Sequence, residues 1–298
     1  MSLSSSPRTK RVSARRVIDV AALVAALAAA TLGALGCSPR GPEQFDPNIF
    51  SWSGALAAPG SVELRNINGA IEVKPSTDDN VRVEASARWH KGNPKTDLHF
   101  QVTTEGSKVR VCVLWGKGAC TGTNYKSSLS GLFTRNGTDA NVTLTVYVPT
   151  SVKVDALTVN GSVDVTSTAP VVARTVNGSV RVATAVGPVV GETVNGSVDV
   201  RMTSLGDDGP VRAETVNGSA SAYLPTTANA TVSLAALNGK VGSDFAVTAA
   251  AGASERRSIK GAIGTGGRVV KVESVNGSAW LHMLNSDGTV SRPAAGKS

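Results

Sequence analysis

The chain has 298 residues with 30 basic and 22 acidic side chains, and only 4% of its residues are aromatic. Five of the cations and one of the acids lie in the first 37 residues, so the remainder carries 25 basic and 21 acidic residues. This near balance gives no electrostatic footprint for nucleic acid. The abundance of Val, Thr, Ser, Ala and Gly favours β-structure built from small repeated units and disfavours an enzyme core of large side chains.

Residues 1–36 are typical of a secretory signal peptide. Five cations precede an aliphatic run from Val20 to Leu35, which at 16 residues falls short of the roughly 20 needed to span a bilayer. Asp19 at its edge also disfavours a permanent membrane helix, so the segment is predicted to be removed. The box Ala34-Leu35-Gly36-Cys37 then resembles a bacterial lipoprotein cleavage site, which predicts a lipid on Cys37 and a place in the cell envelope. Ordinary cleavage with Cys37 incidental is the alternative.

The next segments are a linker and a first β region. Residues 37–60, the lipidated N-terminus, are rich in Pro and Gly and are predicted to be a tether. Residues 61–150 form the N-terminal β region, because runs such as 81–85 and 142–148 alternate apolar and polar side chains.

The two remaining cysteines, Cys112 and Cys120, are predicted to form a disulfide. With Cys37 lipidated they leave no unpaired thiol in an oxidising compartment. Gly116 and Gly118 permit a reversal that brings the two Cα atoms within about 7 Å. A metal site is the other interpretation, and it is poor because no His or acidic cluster lies nearby.

One phrase, Thr-Val-Asn-Gly-Ser-Val, recurs through residues 151–284 at steps of 16 to 22 residues, and an isolated copy lies upstream. Lys260-Gly261 occupies the same frame with Lys in place of Asn. Such a period is typical of solenoids, whose units bury their apolar faces against neighbours. The predicted fold is therefore all-β, a repetitive β-solenoid resembling a parallel β-helix, with a disordered tail at 285–298. The repeat turns are Asn68-Gly69, Asn160-Gly161, Asn177-Gly178, Asn195-Gly196, Asn217-Gly218, Asn238-Gly239 and Asn276-Gly277.

Each Asn-Gly could instead be the turn of a hairpin. A two-residue turn would pair apolar with polar residues across the strands, leaving neither face clean. A stacked arc places both flanking valines, such as Val176 and Val180, in the core, with Gly178 at positive φ. Pro170, Pro188 and Pro210 mark a second corner, because proline removes a ladder donor. Stacking also aligns Asp164, Arg181, Asp199 and Ser221 in one column of solvated cross-strand pairs.

The isolated Asn68-Gly69 unit, the strand ending at Val148-Pro149 and the Val-Asn-Gly-Ser-Val repeats together resemble the bacterial putative-adhesin family of β-strand-repeat proteins. The resemblance covers roughly residues 60–284. It implies surface adhesion, and it supplies no catalytic or ligand-binding residues.

Signals of catalysis are weak. His90, His99 and His282 are the only histidines, and their spacing suggests neither a metal site nor a triad. Asp207-Asp208 is the best carboxylate pair, and it reads as ordinary turn chemistry before Gly, with an enzyme site or a weak Ca²⁺ site as the alternatives. No cofactor and no metal site is predicted.

The predicted function is therefore a non-catalytic, adhesin-like binding or scaffold module of the cell envelope. Its partners would be the membrane through the lipid, and a glycan, peptidoglycan or a cell-surface protein, but no nucleic acid. The alternatives are a polysaccharide-processing β-helix enzyme and an accessory protein of envelope-stress signalling. Clustered carboxylates with raised pKa would favour the enzyme.

Overall fold

The computed structural model describes residues 42–56, 59–121, 124–126, 138–167, 169–206, 209–249, 257–285 and 288–291. The signal peptide, the lipidation site Cys37 and the pair Asp207-Asp208 lie outside these described residues.

Strands make up most of the described chain. In chain order they are β1 (Gln44–Ala55), β2 (Ser61–Arg65), β3 (Ile71–Pro75), β4 (Asn80–Trp89), β5 (Leu98–Glu105), β6 (Lys108–Trp115), β7 (Ala119–Thr121), β8 (Asn124–Lys126), β9 (Asn141–Val148), β10 (Lys153–Leu157), β11 (Val163–Ser167), β12 (Val171–Arg174), β13 (Val180–Thr184), β14 (Val189–Asn195), β15 (Val198–Met202), β16 (Val211–Asn217), β17 (Ala220–Pro225), β18 (Ala230–Asn238), β19 (Val241–Ser243), β20 (Thr248–Ala249), β21 (Ser258–Ile263), β22 (Val269–Asn276), β23 (Ala279–Leu284) and β24 (Val290–Ser291). The described part also holds the short helix α1 (Pro94–Asp97), whose N-cap Asn93 accepts a hydrogen bond from the backbone N–H of Lys95. None of its helices combines the length and hydrophobicity needed to cross a bilayer.

The strands form two large sheets, and the chain is all-β as the sequence predicts. Sheet A has the order β1-β4-β9-β3-β11-β13-β15-β17-β23-β19, with β24 beside β23. Sheet B has the order β20-β21-β18-β22-β16-β14-β12-β10-β2-β6-β5. Strands from the regions 61–150 and 151–284 share both sheets, so the two predicted regions form one continuous stack. Most of the buried aliphatic side chains of both sheets form one core cluster, and Leu114 lies in a small second cluster with Cys112 and Cys120.

The repeats build this stack from units that we call rungs, each one strand of sheet B followed by one strand of sheet A. The rungs are β2–β3, β10–β11, β12–β13, β14–β15, β16–β17, β18–β19 and β22–β23. Neighbouring rungs pair parallel and in register, so Val163, Val180 and Val198 lie side by side. All three are fully buried, each contributing about 1.5–3 kcal/mol of hydrophobic stabilisation. The inward position of these three valines, each of which follows an Asn-Gly-Ser, is as predicted.

The Asn-Gly bends stack on one another, and the hairpin alternative is wrong. The backbone N–H of Gly178 donates to the carbonyl of Asn195 in the neighbouring rung. The asparagine side chains form an exposed ladder in which each Nδ2 donates to the Oδ1 of the next, at 2.8 to 2.9 Å. The order of the ladder is Asn238, Asn276, Asn217, Asn195, Asn177 and Asn160.

The bends leave no room for a side chain at glycine. A Cβ on Gly178 would lie 2.1 Å from the carbonyl oxygen of Gly161, and one on Gly196 would lie 2.1 Å from that of Gly178. Their φ angles are +157° and +149°, the positive values that the repeat predicts. Both the close approach and the backbone conformation therefore require glycine.

The hydroxyl side chain two residues before the Asn points into the core at five bends, those of Asn160, Asn177, Asn195, Asn217 and Asn276. Thr193 is 3% exposed, and its Oγ1 donates to the carbonyl of Gly178 at 2.9 Å, whereas Val194 is half-buried. The same bond recurs from Thr158, Thr175, Thr215 and Ser274 to the glycine of the adjacent rung. Strand alternation turns this hydroxyl inward, where the glycine carbonyl satisfies it. The expected inward position of the preceding valine holds in part, since Val176 is 7% exposed and Val159 packs against the core, whereas Val194 is only half-buried.

The rungs do not stack in chain order. Rung β22–β23 lies between β16–β17 and β18–β19, with Asn276 paired to Asn217 on one side and Asn238 on the other. The predicted bend at Lys260-Gly261 is wrong. Both residues lie inside β21, which runs antiparallel to β18. A Cβ on Gly261 would lie 2.1 Å from the carbonyl oxygen of Thr248, so this glycine serves a close strand contact.

Both ends of the stack differ from prediction. The segment predicted as a tether contains β1, which pairs antiparallel with β4. Pro47 lies at a register shift between Asp46 and Phe50 on this edge strand, where a missing N–H donor is tolerated. In the segment predicted as a disordered tail, Val290–Ser291 pairs with β23.

The disulfide between Cys112 and Cys120 is confirmed. Cys112 lies in β6 and Cys120 in β7, with their Cα atoms 6.4 Å apart. Gly116 has a φ of +57°, which supports the reversal between them. In the chain-entropy account, such a short bridge contributes about 2–3 kcal/mol.

Substitutions at positions 179 and 180, directly after the bend at Gly178, should differ sharply in their effect on stability. Val180→Asp should unfold neighbouring rungs, because it removes about 1.5–3 kcal/mol of burial and places an unpaired charge in the core. Ser179→Asp, at a half-buried position outside the core, should have little effect. Circular dichroism melting of the purified protein checks this, and equal tolerance at the two positions would contradict the stacked arrangement.

The threonine hydroxyls should stabilise the stack measurably. Thr193→Val should lower the free energy of unfolding by about 1–3 kcal/mol, because the carbonyl of Gly178 loses its buried donor. Thr193→Ser keeps the hydroxyl and is the matched control, with a smaller loss. Urea denaturation provides the measurement, and a Val variant as stable as the Ser variant would refute the assignment.

Candidate binding surface

The outer face of sheet A carries a row of cations and aromatic side chains. Every second residue of a strand points to the same face, and in-register strands align such residues perpendicular to the strand direction. We call this alignment the cationic row, and no carboxylate belongs to it. Its members, on successive strands, are Arg82, Tyr147, Lys74, Thr166, Ala183, Arg201, Tyr223 and His282.

A second row lies beside the first, two residues away along each strand. We call it the acidic row, because it contains four carboxylates and one arginine. Its members are Glu84, Thr145, Glu72, Asp164, Arg181, Asp199, Ser221 and Trp280. The column of alternating charges expected at Asp164, Arg181 and Asp199 is therefore present.

Ion pairs link some of these charges. Lys74 Nζ lies 3.1 Å from Glu72 Oε2, and Arg181 Nη1 lies 3.2 Å from Asp164 Oδ1. The hydrogen bond and charge of Glu72 raise the pKa of Lys74. These side chains are largely exposed, so each pair contributes little to stability. Arg201 is exposed and has no ion-pair partner within the described ranges. Its guanidinium also hydrogen-bonds to Tyr223, which uses only part of its five N–H donors, so the others can serve a ligand.

The cationic row is ordered by stacking. The Arg201 guanidinium lies 4.6 Å from the centre of the Tyr223 ring, and the His282 ring stacks on the same tyrosine at 4.8 Å. At the other end of the row, Arg82 lies 5.0 Å from the Tyr147 ring. Burial raises the pKa of the Tyr223 hydroxyl. Cation–π and ring contacts of this kind hold the side chains in place without large loss of solvation.

Asp244 organises the end of both rows. It follows β19, and its backbone N–H donates to Leu281 of β23. Its side chain is 5% exposed and accepts from Trp280 Nε1 at 3.2 Å. The other carboxylate oxygen lies 3.0 Å from His282 Nδ1. This arrangement fixes both rings, and His282 Nε2 makes no hydrogen bond inside the described part of the chain.

The structure thus brings His282, one of the three histidines, beside an acid without creating a metal site. Across the described residues, no group of three or more His, Cys, Asp and Glu could hold a metal ion. His90 Nδ1 lies 3.8 Å from Asp139, far along the chain from the Asp244 cluster. The predicted repeat asparagines serve the bends, since the amides from Asn160 to Asn276 bond to one another and that of Asn68 donates to the carbonyl of Ala140.

Shifted carboxyl pKa values do not mark an acid–base site. Among the described carboxyl groups, the pKa is shifted at Asp46, Glu63 and Asp78, and at each of them it is lowered. Burial alone would raise the pKa of Glu63, but hydrogen bonds from Lys108 and Arg110 outweigh it. These lowered values differ from the raised pKa that a catalytic acid requires.

The sequence matches no family model and no curated protein. Among solved structures, it is similar to a putative cell adhesion protein from Clostridium sporogenes, with 10% identity over 78% of this chain and 99% of that one and a TM-score of 0.41. A putative adhesin from Bacteroides fragilis is 11% identical over 81% and 97% of the two chains, with a TM-score of 0.23. A putative adhesin from Parabacteroides distasonis is 10% identical over 82% and 98%, with a TM-score of 0.24. At these values the matches assign no ligand or activity to this chain.

Removing the Asp244 carboxylate should release the Trp280 indole. Asp244→Ala deletes the acceptor at Nε1, so the indole N–H should exchange faster with solvent and its resonance should shift. ¹⁵N–¹H spectra of the four indole groups provide the measurement, with Asp164→Ala as a control on the same face. Unchanged exchange of every indole in Asp244→Ala would contradict this geometry.

Proposed function

We propose that the protein is a lipid-anchored, non-catalytic binding module of the cell envelope, adhesin-like in action, which contacts its partner through the outer face of sheet A. The observation that carries this proposal is the pair of rows across eight successive strands. With about 4.8 Å between strands, the rows extend for about 34 Å. A surface of this length suits an extended or large partner better than a small substrate.

The proposal includes a two-sheet β-solenoid as the scaffold. Its support is the parallel, in-register pairing of rungs, in which each rung contacts its neighbours and continues the same core. Solenoids of this type present long regular faces for binding. The regular register is what places single residues from eight strands in one straight row.

The chemistry of the rows supports binding and not catalysis. Their charges are distributed along a face, and the side chains that contact the Asp244–His282 pair, Trp280 and Tyr223, do so through an indole N–H and a stacked ring. A general acid or base needs a reacting group within hydrogen-bond reach. Donors and acceptors spread over an open face serve recognition instead.

Export to the envelope rests on the N-terminal sequence and on the disulfide. The box ending at Cys37 supports lipid attachment, and the bond between Cys112 and Cys120 suits an oxidising compartment. The lipid would hold the chain at a membrane while residues 42–291 form the exposed binding module.

Two measurements test the proposed function in the full-length protein. Cys37→Ser should abolish metabolic lipid labelling and leave the protein as precursor or release it from membranes. Beads coated with the exported chain should attach to intact bacterial cells, and the double variant Arg201→Ala/Tyr223→Ala should reduce attachment severalfold.

The matched control is Arg212→Ala, which changes an arginine on the outer face of sheet B. It should attach like the unaltered protein. Undiminished attachment of the sheet A variant would move the binding surface elsewhere, and absence of attachment by the unaltered chain would reject the adhesin-like role.

A further inference from the structure

We propose that the ligand of the two rows is an uncharged polysaccharide chain that lies across the strands of sheet A. The inference rests on the proposed function, since it names the ligand class of the same surface. Three properties of the rows point to this chemistry: their charge balance, the fixed rings at one end, and the spacing of the strands.

The charges of the two rows cancel. The cationic row contributes Arg82, Lys74 and Arg201, and the acidic row contributes four carboxylates against one arginine, so four cations face four anions. At the end of the rows, His282 is matched by the Asp244 carboxylate. A polyanion lying on the cationic row would be attracted by its cations but repelled by the carboxylates of the acidic row about 7 Å away. The balanced face therefore selects against highly charged polymers of either sign.

A polyol matches this arrangement. Each sugar hydroxyl both donates and accepts hydrogen bonds, so neighbouring hydroxyls can accept from one row and donate to the other. Charged side chains make the stronger hydrogen bonds to neutral groups. Arg201 offers guanidinium donors without an internal ion pair in the described chain, and Asp199 in the acidic row lies on the same strand two residues away.

The ring cluster at β23 supplies the apolar part of the site. Sugar rings expose C–H faces that pack on aromatic side chains. The Trp280 indole N–H is already bonded to Asp244, so what it can offer a ligand is its partly exposed ring. Its orientation is set by that bond and by the stacked His282 ring at 5.8 Å. A fixed ring loses little conformational freedom on binding, which favours affinity.

The repeat of the surface resembles the repeat of a sugar chain. Successive strands are about 4.8 Å apart, a distance comparable with the length of one pyranose unit. A chain lying along the rows would meet a similar pair of positions at each strand. The exposed asparagine ladder has the same spacing but is less suited, because its amides already bond to one another.

Affinity electrophoresis of the exported chain in gels containing single polysaccharides tests the inference. The neutral probes are mixed-linkage β-glucan, xyloglucan, mannan and dextran, and the polyanions are heparin and polygalacturonate. At least one neutral probe should retard the protein, with less than about twofold change in affinity between low and high salt, since screening acts on charge–charge attraction.

Variants locate the site. Trp280→Ala should weaken binding about tenfold or more, Trp280→Phe should restore much of it, and Arg201→Ala should weaken it severalfold. Arg212→Ala on sheet B should bind like the unaltered chain. The Phe variant and the Arg201 variant keep the test valid if Trp280→Ala disturbs folding. Equal binding by all of these variants would overturn the assignment to this face.

The outcomes separate this inference from the proposed function. Retardation by polyanions alone, lost at high salt, would overturn the uncharged ligand and leave the binding module standing. Attachment of coated beads to cells without retardation by any polysaccharide would also overturn it and indicate a protein partner. Failure of both assays would reject the proposed function together with the inference.

Discussion

The close approach of successive backbones at the Asn-Gly bends is the constraint on which the stack depends. The carbonyl oxygen of one glycine lies where the next glycine would carry a Cβ, as at Gly161 and Gly178. The same oxygen accepts the buried threonine hydroxyl, and the asparagine amides bond outside it. Three interactions thus hold the same register at the bends of Asn177, Asn195, Asn217 and Asn276. A slip of one residue would move the valines from the core to solvent and break all three contacts.

The stacked bends and the strands with clear alternation were predictable from the sequence, whereas several features that depend on local contacts were not. The recurring phrase predicts the stacked bends and the buried Val180. Thr193 was missed because a hydroxyl side chain reads as polar, although a carbonyl within reach makes its burial inexpensive. The strand at 44–55 was missed because proline and glycine are typical of linkers, yet an edge strand accepts Pro47. Lys260-Gly261 fits the spacing of the repeats, but Gly261 is needed for the close approach of the Thr248 backbone and not for a bend.

The disulfide followed from cysteine parity and two glycines, whereas the binding surface could not be read from the chain. Arg201, Tyr223 and His282 are scattered in the sequence, and they meet only because their strands are adjacent in sheet A. Asp244 reaches this cluster from the end of another strand. Its partner His282 belongs to no recognisable sequence motif. The contact between them depends on the register and spatial order of the rungs, which the period of a repeat does not specify.

The insertion of β22–β23 between two earlier rungs has a consequence for how the chain assembles during export. A chain that emerges from its N-terminus can stack rungs up to β16–β17 as they appear, but the next rung in sequence must leave a gap that is filled only when residues 269–284 arrive. The two rungs differ in whether they can form the buried hydroxyl bond at the bend. Ser274 supplies the hydroxyl that bonds to Gly218, whereas β18 has Ala236 at the equivalent position and could not. Rung β22–β23 is therefore favoured beside β16–β17 over rung β18–β19 by one buried hydrogen bond.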